Sequence, residues 1–432
     1  MAEADPPVRV RPSRRAMARA IASSIIGNGF EWYDFLVFGF FTLAISRAFF
    51  PTGDTFTSLL LTTATFAISF LVRPLGGVLL GLYADRVGRK PALTLMIGMM
   101  ALSTLLIGAT PSYRAIGIAA PILVILARTL QGLSVGGEFA TATAMLAEWS
   151  PPGRRMTYSS LQMCSQAAAV AVAAASAFAL STLLSPADLQ AWGWRIPFLA
   201  GVLVGPVGVY IRRKVDESPD FKTADRSAPA IRTPFRQLLA DHWRAVVAGF
   251  GVVVIGTVSN YVWFVYLPTY VVRELALPAT AGLLGSAICG ALLFFLCVLT
   301  GFLADRIGAW HVFLTGVVAF ALLAWPLLAY VDAAPSIDRL LTAQLICTLA
   351  IAAIWGPTPG ILASLFPVRL RSTGMSICYN LGVLLFGGLA PFTLTWAIGI
   401  TANRMVPAYY VLLCAVIALA ASTALRRPRP AT

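Results

Sequence analysis

Charge is what this sequence has least of. Asp, Glu, Lys and Arg make up 12% of its 432 residues, where a water-soluble domain carries about 25%, and that deficit excludes an ordinary soluble protein. Histidine is nearly missing: the two present, His242 and His311, sit at the borders of apolar stretches, which leaves carboxylates as the groups able to carry a proton inside them. The six cysteines (Cys164, Cys289, Cys297, Cys347, Cys378, Cys414) all fall within apolar runs and form no CxxC pair. Neither a disulfide framework nor a zinc site is expected. The sequence also has no Gly-Lys-Ser/Thr phosphate loop, no HExxH and no defensible Ser/His/Asp order, which argues against an ATP-driven pump, a hydrolase or any other enzyme. No metal and no cofactor are expected.

What fills the chain is apolar sequence, at 58% hydrophobic residues and a mean hydropathy of +0.81. It is arranged in runs of roughly 20 residues or more, each long enough to cross a hydrocarbon layer about 30 Å thick as a helix. A bilayer cannot solvate free backbone amides, and such runs fit helices better than the ~10-residue alternating strands of a membrane barrel. The expected fold class is therefore all-α: a polytopic membrane protein with twelve transmembrane helices in two six-helix bundles. The spans fall at roughly 19–46, 56–83, 91–110, 116–147, 157–184, 194–212, 244–271, 279–304, 311–330, 340–365, 373–400 and 405–425. They divide the chain into a basic tail (1–18), an N-terminal bundle (19–212), a polar linker (213–243), a C-terminal bundle (244–425) and a short tail (426–432). The first apolar segment is too long for a signal-peptide core and reads as a retained helix.

The formal charge of +14 invites a nucleic-acid reading, which the positions of the basic residues reject. They cluster in alternate loops: the N-terminal tail, Arg86/Arg89/Lys90, Arg154/Arg155, the stretch from Arg212 to Arg244, Arg306, Arg369/Arg371 and the tail Arg426/Arg427/Arg429. The intervening loops hold only Arg47, Arg114, Arg273, Arg339 and Arg404. This is a positive-inside pattern. It puts both termini in the cytoplasm, and the expected home is a bacterial-type cytoplasmic (inner) membrane, with lipid as surroundings and a monomer as the functional unit.

An internal repeat supports the division into halves. Gly81, Asp85, Arg86, Gly88, Arg89 and Lys90 follow the second span, and 220 positions later Gly301, Asp305, Arg306 and Gly308 repeat the pattern after the eighth. A second echo links Glu148 to Arg155 with Ser364 to Arg371. In the first pattern the glycine lets helix ends approach, the acid can accept from a helix N-terminus or an Arg, and the cations stay on the cytoplasmic side. Such a cluster can latch two bundles together. Duplicated halves around a central site are a transporter architecture.

The loop resembles the signature loop of the major facilitator superfamily. The second copy departs from it, with Ala309, Trp310 and His311 in place of further cations, so a weaker latch is expected there. A closer resemblance is to the metabolite:H+ symporter family, and five stretches carry it. They are Gly27 to Phe35 (with Asn28, Glu31, Trp32, Tyr33 and Asp34), Arg73-Pro74 with Gly76-Gly77, Arg128 to Phe139 (with Gln131 and Glu138), Trp192 to Phe198, and Phe366 to Gly374 with Tyr379-Asn380. The resemblance implies proton-coupled uptake of a small organic acid or zwitterion. Two departures are Ala140-Thr141 in place of the usual glycines, and Ser364 where relatives often carry an acid, which removes a cytoplasmic carboxylate contact.

Charges inside spans are costly and mark function. Here they gather in the first half: Glu31 and Asp34, Arg73, Arg128 and Glu138, with Arg195 at the edge of the sixth span; the second half has none buried. At 1.5 Å per residue, Glu31 and Arg73 lie about 18 Å deep, Glu138 about 15 Å, Asp34 about 22 Å and Arg128 about 30 Å. Contact of Arg73 with Glu31 or Glu138, and proximity of Asp34 to Arg128, follow as expectations. Desolvation favours the neutral acid and a nearby guanidinium favours the carboxylate, so an acid whose Arg is engaged by an anionic substrate takes up a proton more readily. The expected proton carriers are Asp34 first, then Glu31 and Glu138. The expected substrate contacts are Arg73, Arg128, Gln131, Tyr33, Asn28, Gln162, Gln166, Asn260, Tyr261, Tyr266 and Asn380, and the latch residues are the two loop copies. The function read from this is symport of a proton with a small organic acid, a di- or tricarboxylate by analogy. A proton-antiporting exporter and a sensor that kept the carrier fold are the alternatives.

Overall fold

A computed structural model describes residues 14–87, 89–135, 138–202, 234–367 and 370–424, and every regular element among them is helical. Eight single helices are long and apolar enough to cross a membrane, a bent pair (Ile25–Phe40 with Thr42–Phe49) makes a further span, and Thr94–Ala109 and Ala119–Ser134 are shorter apolar helices. With Ile196–Val202, where the sixth span begins, these supply the twelve spans of a polytopic all-α membrane protein.

The departures from straight helices have local causes. The first span breaks at Phe41 and turns by 66°. Thr42 sits at the break and donates its hydroxyl to the carbonyls of Phe38 (3.1 Å) and Gly39 (2.7 Å), satisfying groups that lipid would leave bare. The seventh span passes through a π-helical turn, Tyr261–Tyr266, and the eleventh through another, Leu384–Gly388. Each turn lies just before a proline, Pro268 or Pro391, whose ring displaces the carbonyl four residues back. Ser286 of the eighth span donates to the Phe264 carbonyl at 3.4 Å, replacing the bond that Pro268 cannot make.

The halves meet along small residues. The fifth span (Arg155–Leu183) runs antiparallel to the eighth (Ala279–Ile307). A Cβ added at Gly301 would lie 2.7 Å from the Ser160 hydroxyl, and one at Gly290 would lie 2.7 Å from the Ala171 nitrogen. The alanine run from 167 to 177 therefore serves close helix packing. At the basic end, Asp305 accepts from the amides of Met156 (2.8 Å) and Thr157 (2.9 Å) and from the Thr157 hydroxyl (2.6 Å). A carboxylate of the second half thus caps a helix of the first. The eighth span stops at Gly308, whose φ of +100° suits glycine, and Arg306 lies over Phe302 at 4.3 Å. The second loop copy latches through its acid, and the missing cations after Gly308 take nothing from that bond.

Three boundaries differ from the sequence reading. Helix begins at Arg14, inside the segment read as tail. The last part of the polar linker is the helix Pro234–Asp241, where Leu238 is fully buried in an apolar seat while Leu239 stays exposed. The fourth span is described as two helices, Ala119–Ser134 and Glu138–Glu148. The first-copy loop lies largely outside the description: Gly88 is not described, nor are the side chains of Asp85, Arg86, Arg89 and Lys90, and for Gly81 only its helical backbone is. The segment 203–233 and the tail 425–432 also lie outside it.

Asp305→Ala removes the cap and three hydrogen bonds between the halves. A loss of about 1–2 kcal/mol, typical of a helix N-cap, is expected as a lower thermal midpoint in detergent, with Asp305→Asn intermediate.

Candidate functional site

The expected layer of buried charge is present. Arg73 lies 3.9 Å from Glu31, and both side chains are buried. The Arg73 guanidinium sits between Phe35 (4.6 Å to the ring centre) and Phe70 (4.5 Å), with Trp32 at 6.0 Å. Arg128 is held the same way, 4.5 Å from Phe38, 4.9 Å from Phe66 and 5.0 Å from Phe35. It donates to the Gln131 side-chain oxygen (2.5 Å) and the Phe66 carbonyl (3.2 Å). Aromatic faces here do what water does elsewhere, offering negative potential to a desolvated cation. The sequence reading named the arginines and not these rings, although phenylalanines at 35, 38, 66 and 70 recur at helical spacing.

Asp34 is buried, accepts from the Thr104 hydroxyl at 2.5 Å, and lies so close to Gly201 that a Cβ there would come within 2.7 Å of its oxygen. It is within electrostatic reach of Arg128, as expected. It faces the third and sixth spans, whereas Glu31 and Arg73 interact electrostatically with Tyr261 and Tyr379 of the second half. Thr104 carries no motif that the sequence reading could have used. The side chain of Glu138, the third expected carrier, lies outside the description.

The remaining expected contacts divide into two groups. One group gathers at the boundary between halves. Tyr261 lies edge-on to Phe70 (5.6 Å, 89°) with its buried hydroxyl unpartnered; Gln166 is buried with its amide nitrogen unpartnered, and Tyr379 stacks on Phe139 at 3.7 Å. Asn260 is buried with an unpartnered carbonyl oxygen. Tyr266 lines a small cavity with Thr42, Thr63, Phe66 and Thr269, and the Thr395 hydroxyl is buried without a hydrogen-bond partner. The other group is engaged within one half. Asn28 and Gln162 bond each other at 2.9 Å, Asn28 also bonds Ser165, and the Tyr33 hydroxyl reaches the Pro197 carbonyl at 3.4 Å. Asn380 donates to Ser376 at 3.1 Å.

One expectation is corrected. The second half does bury a charge, Arg371, which bonds Glu148 of the first half at 2.9 Å. It stands at the start of the eleventh span, and burial there follows from bundle closure, which a loop assignment does not reveal. Arg195, at the far end, donates to the carbonyls of Gly108 (2.8 Å) and Thr110 (2.5 Å) and lies 4.5 Å from Trp194. It caps the end of the third span and takes no part in the central layer.

A model of the Major Facilitator Superfamily matches residues 25–391. The chain is 38% identical over 408 residues to a citrate-proton symporter of Klebsiella pneumoniae, covering 94% of this chain and 91% of that one. It is 33% identical over 416 residues to the proline/betaine transporter of Escherichia coli strain K12, covering 93% and 82%. Among solved structures, a crystal structure of a D-xylose-proton symporter superposes with a TM-score of 0.74 at 18% identity, covering 94% and 97%.

Arg73→Lys keeps the charge and loses the planar stacking between two rings. A desolvated cation–π contact is worth about 2 kcal/mol, so transport by the folded variant is expected to fall about tenfold or more. Uptake in proteoliposomes, with the thermal midpoint as a folding control, checks this.

Proposed function

The chain belongs to the Major Facilitator Superfamily, and from that premise we propose that it is a secondary transporter that imports a small organic acid, a di- or tricarboxylate, together with protons. The observation that carries this reading is the charge balance of the centre. Glu31 and Asp34 offset Arg73 and Arg128, and all four are buried. In a low-dielectric interior an uncompensated charge costs several kcal/mol. A proton on one acid leaves a guanidinium unbalanced, and a substrate carboxylate restores neutrality, so proton and anion bind as a pair. A neutral, loaded centre can then pass through alternating access.

Asp34 is the proposed proton carrier, with Glu31 and Glu138 behind it. Its partner is a neutral hydroxyl and its arginine is also engaged by Gln131, so it can lose its charge without breaking a direct ion pair. Arg73 and Arg128 are the proposed anion contacts, and Tyr261, Gln166, Asn260 and Tyr266 supply neutral groups from both halves. The gradient drives the cycle, with no cofactor. We place both termini in the cytoplasm of a bacterial inner membrane, with the basic end facing inward, and treat the protein as a monomer of two six-helix domains. A zwitterionic substrate is the second reading, favoured by the 33% identity to a proline/betaine transporter.

Proteoliposomes under an imposed pH gradient test both. Accumulation of citrate or a related di- or tricarboxylate, and not of betaine, is expected; the reverse result transfers the assignment to the zwitterion. Asp34→Asn is expected to abolish accumulation against a gradient while leaving exchange of internal for external substrate. Unchanged uphill uptake by that variant would refute Asp34 as the carrier.

A further inference from the structure

At the basic end Arg371 pairs with a carboxylate, whereas its counterpart in the repeat, Arg155, has no carboxylate in salt-bridge contact among the described residues. The same offset of 216 positions relates Glu148 to Ser364 and Arg155 to Arg371. Across the boundary, Glu148 of the first half pairs with Arg371 of the second at 2.9 Å. The pseudo-symmetric bond would run from Arg155 of the first half to an acid at position 364 of the second. Position 364 is serine, and its hydroxyl turns back to the Ile361 carbonyl of its own helix at 2.7 Å. Arg155 instead donates to the neighbouring Ala363 carbonyl at 3.1 Å. It interacts electrostatically with both Arg371 and Glu148, so among the described residues the cluster has two guanidinium groups for one carboxylate. The Nε atoms of Arg155 and Arg371 are buried without a hydrogen-bond partner.

Arginine presents donors in a fixed fork matched to a carboxylate. Arg155 is half-buried with its Nε enclosed and unpartnered; a guanidinium so placed, given only a peptide carbonyl, is undercompensated, and a mobile anion that reaches its open side stabilises it. We propose that Arg155, with Arg371 beside it, is a second carboxylate-binding position at the cytoplasmic end. There the transported anion takes the place that an acid at 364 would hold, on its way between the centre and the cytoplasm. The inference rests on the carboxylate reading of the function. It adds to the closing role of the Glu148–Arg371 pair a position that is filled only while cargo passes.

Two variants separate this from a simple latch. Arg155→Gln removes a contact between the halves and Ser364→Glu adds one, so a latch predicts opposite effects. A carboxylate position predicts the same effect from both: a several-fold higher half-saturating citrate concentration from the cytoplasmic side in oriented proteoliposomes. Opposite shifts overturn the proposal. Independently of transport, the purified protein can be treated with an arginine-selective dicarbonyl and modification of Arg155 followed by peptide mass spectrometry. Citrate is expected to slow modification several-fold in the natural chain and to have no effect in Ser364→Glu, where the new acid already covers the guanidinium. Citrate-independent modification of the natural chain, or equal protection by inorganic phosphate, sinks the carboxylate position. Protection in a protein that accumulates no citrate would leave the position standing and remove the transport reading; accumulation without protection would do the reverse.

Discussion

Electroneutrality in a medium that cannot screen charge governs this molecule. Among the described side chains, two acids and two arginines lie buried near its middle, and their neighbours are chosen to make that tolerable. Rings face the guanidinium groups, a glutamine and a peptide carbonyl take the spare donors of Arg128, and a threonine hydroxyl serves Asp34. In such a medium a change of charge on one member favours a matching change on another. In the function proposed above, that is the physical root of coupling between a proton and an anion.

Closure of the halves depends on the same economy at the basic end. Among the described residues the contacts there are directional: a carboxylate on a helix N-terminus, an ion pair and an arginine on a carbonyl. Each joins residues more than a hundred positions apart in sequence, and each can be undone without unfolding a helix. Strength is spread over small separable bonds, as an interface that must open on every cycle requires.

Much of this was legible in the amino-acid order. The apolar runs gave the helical class because backbone in lipid has no alternative, and the arginine-rich loops marked one end. Depth counting put Glu31 beside Arg73 because both helices could be anchored at a charged border. What could not be read was orientation about each helix axis. Asp34, three residues from Glu31, turns toward Thr104 and Gly201, while its neighbour pairs with Arg73. Tyr33 and Asn28 are likewise spent within the first half. Arg371 looked like a loop residue because its burial comes from a partner helix far along the chain. The offset that links Glu148 to Ser364 was visible, yet its meaning needed the cross-boundary pair.

Where the fifth and eighth spans touch, Gly290 and Gly301 of one face Val170, Ala171, Met156 and Ser160 of the other, with backbone nearly meeting backbone. Bulky side chains that interdigitate must change rotamer before their helices can shift. A surface with glycine at its closest approaches has little to unmesh there. The two bodies can roll on this contact as on a smooth bearing, so the resistance to turnover resides at the rims, where polar bonds break and reform, and the axle itself contributes little friction.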